Sequence, residues 1–165
     1  LWMIQSVRKE IGKDKSFGEI CEQASKETIT SLVNCNDDSF LSPVSMAEAV
    51  KDYCKKTGQQ VPQTLSELAC VIYNSLAQCY GETKQQIEQL TGKAFDRIYI
   101  IGGGSKAEYL NKLTAKYAGC QVSAGPTEAT AIGNLMCQMI RDGQFKDLSE
   151  ARSSVIDSFA VTYYN

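Results

Sequence analysis

Apolar residues recur at helical spacing along most of the chain. Met3, Ile4, Val7 and Ile11 mark a first helix over residues 1 to 11, with Gly12 as its stop. A weaker pattern predicts a second helix from Ser16 to Val33. Asn34 to Ser39 is turn chemistry, because short polar side chains there bond to their own backbone. Ser42-Pro43, then Ser45 with Glu48, open a short helix to about Lys56, and a loop follows from Thr57 to Gln63. Thr64 with Glu67 is a capping box for the longest helix, whose stripe Leu65, Leu68, Ile72, Leu76, Tyr80, Ile87 and Leu90 ends at Gly92. Gly81 interrupts that stripe and predicts a bend.

The period then changes. Arg97 to Ile101 reads as a strand that empties into Gly102-Gly103-Gly104, and a helix is predicted from Lys106 to about Tyr117, with Ser105 and Glu108 as its capping box. Cys120 to Ala124 is a second strand, followed by Gly125-Pro126, a helix over Thr127 to Arg141, and a last helix from Leu148 to Phe159. Strand–helix–strand–helix order implies an α/β arrangement with a parallel, right-handed crossover. Two strands make a poor sheet, so further strands are expected before Leu1. The opening Leu-Trp-Met-Ile, already helical and without an initiator Met, predicts a piece of a longer protein.

Composition narrows the chemistry. The chain has 165 residues, 43% hydrophobic and 22% charged, which suits one globular domain with a real core. Seventeen Lys and Arg against nineteen Asp and Glu leave a formal net charge of −2, which argues against nucleic-acid binding by bulk electrostatics. There is no histidine, so Ser-His-Asp and Cys-His triads and His-based zinc sites are excluded. Seven cysteines without a C-x-x-C pair predict reduced, mostly buried thiols in a cytoplasmic protein. No apolar stretch approaches the roughly 18 residues that span a bilayer.

The three glycines are the candidate ligand site. Without Cβ atoms the backbone can bend sharply and lie against a ligand, and the next helix points unpaired N–H groups at the same spot. A nucleotide is the expected ligand. Gly102, Gly104 and Ala107 satisfy the dinucleotide fingerprint G-x-G-x-x-G/A, but the acid that should hold the ribose is missing: the second strand ends Val122-Ser123-Ala124, and Glu128 comes only inside the next helix. The phosphate loop G-x-x-x-x-G-K-[ST] is absent, since Gly92-Lys93 continues with Ala94 and Ile87 stands where its first glycine belongs. A purely structural turn stays open beside the ligand reading. Ala129, Ala131 and Gly133 read as a small-residue face for close packing against another backbone.

Strand–Gly-Gly-Gly-Ser105, Leu110-Asn111-Lys112-Leu113-Thr114-Ala115 and Ala124-Gly-Pro-Thr-Glu-Ala-Thr-Ala-Ile-Gly-Asn134 together resemble the C-terminal domain of the FGGY carbohydrate kinases. Within that family, Leu1 to Gln5, Asn36 to Phe40 with Pro43, and the Gly-Pro-Thr-Glu-Ala-Thr run resemble the branch acting on L-rhamnulose. The resemblance spans nearly the whole chain and is most specific from 98 to 139. It implies a helix-rich part of an actin-like, ribonuclease-H-like ATPase domain with a short parallel sheet. It implies ATP held between two domains and transfer of its γ-phosphoryl group to the 1-hydroxyl of a ketose, with Mg²⁺ assisting. Gly103 and Gln5 match family positions that contact ATP, and Gly102, Gly104 and Ser105 would be their neighbours. Where many relatives carry an Asn that reaches the adenine, this chain has Ala107 preceded by Lys106, which leaves direct hydrogen bonding to the base from this turn open.

Asp37, Asp38, Glu128 and Asp142 match no family base, and no catalytic or metal-ligating residue is expected in this chain, which should be inactive alone. Another FGGY pentulose, hexulose or polyol kinase is the nearest alternative. A non-enzymatic helical interaction module is the more distant one. Exposure of a sheet edge would favour self-association.

Overall fold

The computed structural model describes all 165 residues. The order is α1 (Trp2–Ile11), α2 (Phe17–Ala24), a 3-10 turn (Asp38–Phe40), α3 (Met46–Lys56), α4 (Leu65–Thr91), β1 (Arg97–Ile100), a 3-10 turn (Gly102–Lys106), α5 (Glu108–Ala118), β2 (Gln121–Ala124), α6 (Ala129–Arg141), α7 (Leu148–Ser158) and β3 (Thr162–Tyr164). No helix is long and apolar enough to cross a membrane.

Capping chemistry fixes the helix starts. Ser16 and Thr64 each accept from the backbone three residues on, with Glu19 and Glu67 reaching back to close the box. Ser45 caps α3 by accepting from Glu48 N. The second predicted helix ends early, at Ala24. Beyond it Thr28-Ile29-Thr30-Ser31-Leu32-Val33 is rich in β-branched residues that resist helix, and the chain runs extended. Side chains supply its hydrogen bonds. Gln59 Oε1 accepts from Leu32 N at 2.8 Å and Gln59 Nε2 donates to Leu32 O at 2.8 Å, as a neighbouring strand would. Ser75 Oγ accepts from Val33 N deep in the core.

One core joins α1 to α5. Ile4, Val7, Ile20, Val50, Leu68, Ile72 and Tyr73 are fully or almost fully enclosed within it. Its spine is α4, which runs unbroken through Gly81 where a bend was expected. A Cβ at Gly81 would stand 2.7 Å from Tyr117 O and 2.9 Å from Tyr117 C, so the glycine serves a backbone-to-backbone crossing with α5. The stripe of α4 is covered only as far as Gly81, and Ile87 and Leu90 farther along are exposed.

β1 and β2 pair in parallel with Ile98 opposite Val122, as the crossover pattern requires. β3, unforeseen in the sequence, joins β2 antiparallel, so the sheet is mixed, in the order β1-β2-β3. Thr162-Tyr163-Tyr164 has the β-branched and aromatic composition that suits an edge strand. Two packing expectations fail. α6 buries none of its residues and a Cβ at Gly133 would meet open space, so its small-residue face has no partner within this chain. Only Cys21, Cys54 and Cys70 are buried, and Cys137 is exposed.

Candidate functional site

β1 and β2 end side by side, and the two turns that follow them meet. Gly125 N donates to Ile100 O at 2.8 Å and Gly102 N donates to Pro126 O at 3.1 Å, which binds the glycine turn to the Gly-Pro-Thr turn. Gly102 has φ +73°, a left-handed conformation that any side chain would strain. The Ser105 hydroxyl donates back to Gly102 O at 2.7 Å and lies 3.4 Å from the Thr127 hydroxyl.

These bonds overturn the predicted Ser105–Glu108 capping box. The glycines coil into a 3-10 turn, α5 starts only at Glu108 with no side-chain cap, and the Ser105 hydroxyl closes the turn. The Glu108 carboxylate instead accepts from Lys112 Nζ at 2.6 Å, a bond that holds the lysine above its ordinary value.

Four of the five predicted contact residues, Gly102, Gly103, Gly104 and Ser105, make up the turn itself, and the fifth, Gln5, lies on α1. Gly103 is exposed, and a Cβ placed there would touch nothing within 4 Å. A Cβ at Gly104 would lie 3.2 Å from Leu1 Cδ1, so the start of α1 abuts the turn. Leu1 and Gln5 stand four residues apart on one helical face, with Gln5 N bonded to Leu1 O. Gln5, which is exposed, is therefore one helical turn from the residue that touches the glycines. Gly102 and Ser105 are half-buried behind Gly103.

Lys106, at the end of the turn, is exposed and belongs to none of the ion pairs of the chain. It stands at a groove of about 260 Å³ between α2 and α5, lined by Gly18, Cys21 and Glu22 on one side and Glu108, Tyr109 and Lys112 on the other, a lining that excludes the three glycines. Burial pushes the Tyr109 hydroxyl up to about 12, so it stays protonated and polar. An open bend with exposed backbone beside an unpaired cation suits an anionic ligand, while the groove itself carries two carboxylates and two lysines.

The acids behave as turn and surface groups. Asp37 accepts from Ser39 N at 2.9 Å, and that serine lowers its pKa. Glu128 is exposed at the start of α6. Nowhere do three or more Cys, Asp or Glu side chains gather as a metal site would require. Two residues that shape the turn escaped the sequence reading, Asn111 and Thr127. Asn111 had a legible signal, since it is a polar residue on the face of α5 that carries Leu110, Thr114, Ala115 and Ala118 inward.

The model of the FGGY family of carbohydrate kinases, C-terminal domain, matches residues 1–141. A rhamnulokinase of Bacillus subtilis (strain 168) is 42% identical over 165 residues, covering 99% of this chain and 34% of that protein. A rhamnulokinase of Oceanobacillus iheyensis is 44% identical over 164 residues, with 99% and 35% covered. One of Bacteroides thetaiotaomicron is 36% identical over 166 residues, with 100% and 34% covered. The chain thus spans about a third of the length of the curated relatives it matches.

Proposed function

Because the chain belongs to the FGGY family of carbohydrate kinases, we propose that the protein carrying it transfers the γ-phosphoryl group of ATP to the 1-hydroxyl of L-rhamnulose. In this reading the chain forms the nucleotide side of the cleft and is one part of a longer polypeptide. The C-terminal domain of the family has the actin-like ATPase fold, which this helix-rich chain with its small sheet shares. The sugar is taken from the relatives, each described as a rhamnulokinase.

The observation that carries the proposal is Gly103, a Cβ-free position open to solvent on a turn held by its neighbours, with Gln5 one helical turn from Leu1, which abuts the adjacent Gly104. Gly103 and Gly104 offer backbone to ATP, Gln5 a side-chain amide, and Lys106 a positive charge. Phosphoryl transfer also needs a base on the sugar hydroxyl and carboxylates for Mg²⁺. The family resemblance matches neither to a residue of this chain, so we place both in the remainder of the longer polypeptide and expect the chain to be inactive alone. All seven cysteines are free thiols, in keeping with a cytoplasmic setting.

A coupled ADP-release assay on the full-length protein, run with ATP and a panel of ketoses and polyols, tests this reading. Turnover with L-rhamnulose is expected, and the 165-residue chain should give none above background. Since a side chain at Gly103 meets no protein atom, Gly103→Val should leave the fold intact and raise the KM for ATP by about tenfold or more. Gln5→Ala should raise it about two- to tenfold, the loss of one hydrogen bond. An unchanged KM for ATP in Gly103→Val would favour an interaction module whose glycines only shape a turn.

A further inference from the structure

Asn111 is fully enclosed, yet its Oδ1 is the buried side-chain oxygen without a hydrogen-bond partner. Leaving such an acceptor unpaired costs about 1–3 kcal/mol, a penalty that a leucine of similar size would avoid. The gain must come from the other end of the amide. Nδ2 donates to Ser105 O at 2.9 Å, the carbonyl at the rear of the glycine turn.

That bond completes a frame. Ser105 O is held by Asn111, Ser105 Oγ closes on Gly102 O, Thr127 stands beside that hydroxyl, and Gly102 N is held by Pro126 O. Three consecutive glycines otherwise have the greatest backbone freedom a chain can have, and a ligand that docked on them would have to order them first. These restraints leave Gly103 facing open space.

We propose that Asn111 is the positioning residue of the nucleotide site, acting through the Ser105 carbonyl to hold Gly102–Gly104 ready for ATP without touching ATP itself. This rests on the reading that the turn meets the nucleotide.

The test uses Asn111→Ala and Asn111→Asp in the full-length protein. In Asn111→Ala the KM for ATP should rise about tenfold at every pH, with the KM for the sugar within about twofold. A buried carboxyl ionises only at raised pH, and while protonated it can donate to Ser105 O. The KM for ATP of Asn111→Asp, relative to wild type, should therefore stay near one at low pH and climb toward that of the alanine variant as pH rises. Hydrogen exchange at the Gly102 amide, which donates to Pro126 O, should quicken about tenfold in Asn111→Ala. Ser75→Ala, which removes a buried hydroxyl far from the turn, should lower the melting temperature and leave the KM for ATP alone.

Wild-type KM for ATP in both Asn111 variants would overturn the proposal, as would faster exchange with unchanged KM. If Asn111→Ala fails to fold, Thr127→Val and Ser105→Ala must raise the KM for ATP in its place, and wild-type values there would overturn it equally. A wild-type protein without ATP-dependent turnover, or an unaffected Gly103→Val, would instead sink the nucleotide reading, while the exchange result still reports on the frame.

Discussion

Glu10 reaches from the end of α1 to the start of α3, where its carboxylate accepts from Met46 N at 2.8 Å, Ala47 N at 3.0 Å and Ser45 Oγ at 2.7 Å. Burial alone would push its pKa up, but the two backbone donors and the serine outweigh that and hold it below the ordinary 4.5. A lowered value in the folded state means that the stabilisation is present above the ordinary pKa and is lost as pH falls through the folded one. Glu10→Gln should therefore flatten the acid side of the stability profile below about pH 4.5 and cost about 1 kcal/mol at neutral pH, as loss of a helix cap does. Urea titrations at a series of pH values would show it. Glu10 could not be read from local pattern, since it bonds backbone it meets only through tertiary packing, whereas Asn111 left a signal as a polar residue on the inward face of α5. The glycine turn was legible from what three missing Cβ atoms permit, while Gln5 was singled out by family resemblance alone.

Helices with their own caps could be read from the sequence almost to the residue, as Thr64 and Glu67 did for α4. Errors arose where a second structure competed for the same groups. Ser105 had two possible uses, and the turn took it over the helix. Residues 25 to 33 carry helix-like apolar spacing, but Gln59 and Ser75 offer the extended chain its hydrogen bonds from 27 and 42 positions away. Gly81 was read locally as a break, whereas its use lies in the crossing of α4 with α5. Gly81→Ala raises helix propensity and would be favourable on an isolated helix. Here the new methyl would strike the Tyr117 carbonyl, so the substitution should destabilise by about 1–3 kcal/mol, read from the urea midpoint. A gain in stability would mean that the two backbones are not in contact.

The whole molecule divides unevenly. α1 to α5 share the enclosed core, while the sheet, α6 and α7 stand outside it with Tyr99, Ile101, Leu135 and Ile156 each more than half exposed. β1 is an edge strand whose free side carries unpaired backbone groups, an invitation to another strand. The 165-residue chain by itself should therefore associate, with a sedimentation coefficient that grows between about 5 and about 100 µM, within the micromolar-to-millimolar range where such edges aggregate. Arg97→Pro would take one N–H from that strand and should shift the equilibrium toward monomer. A strict monomer at both concentrations would show that the edge is self-protecting. The glycine turn sits where these two parts join, between Leu1, the residue before α1, and the loop that leads into α6. An occupant of that seam would grip the firm helical stack with one hand and the more exposed sheet and its helices with the other. Filling it would act as a rivet as well as a docking event, and the sheet side should tighten most.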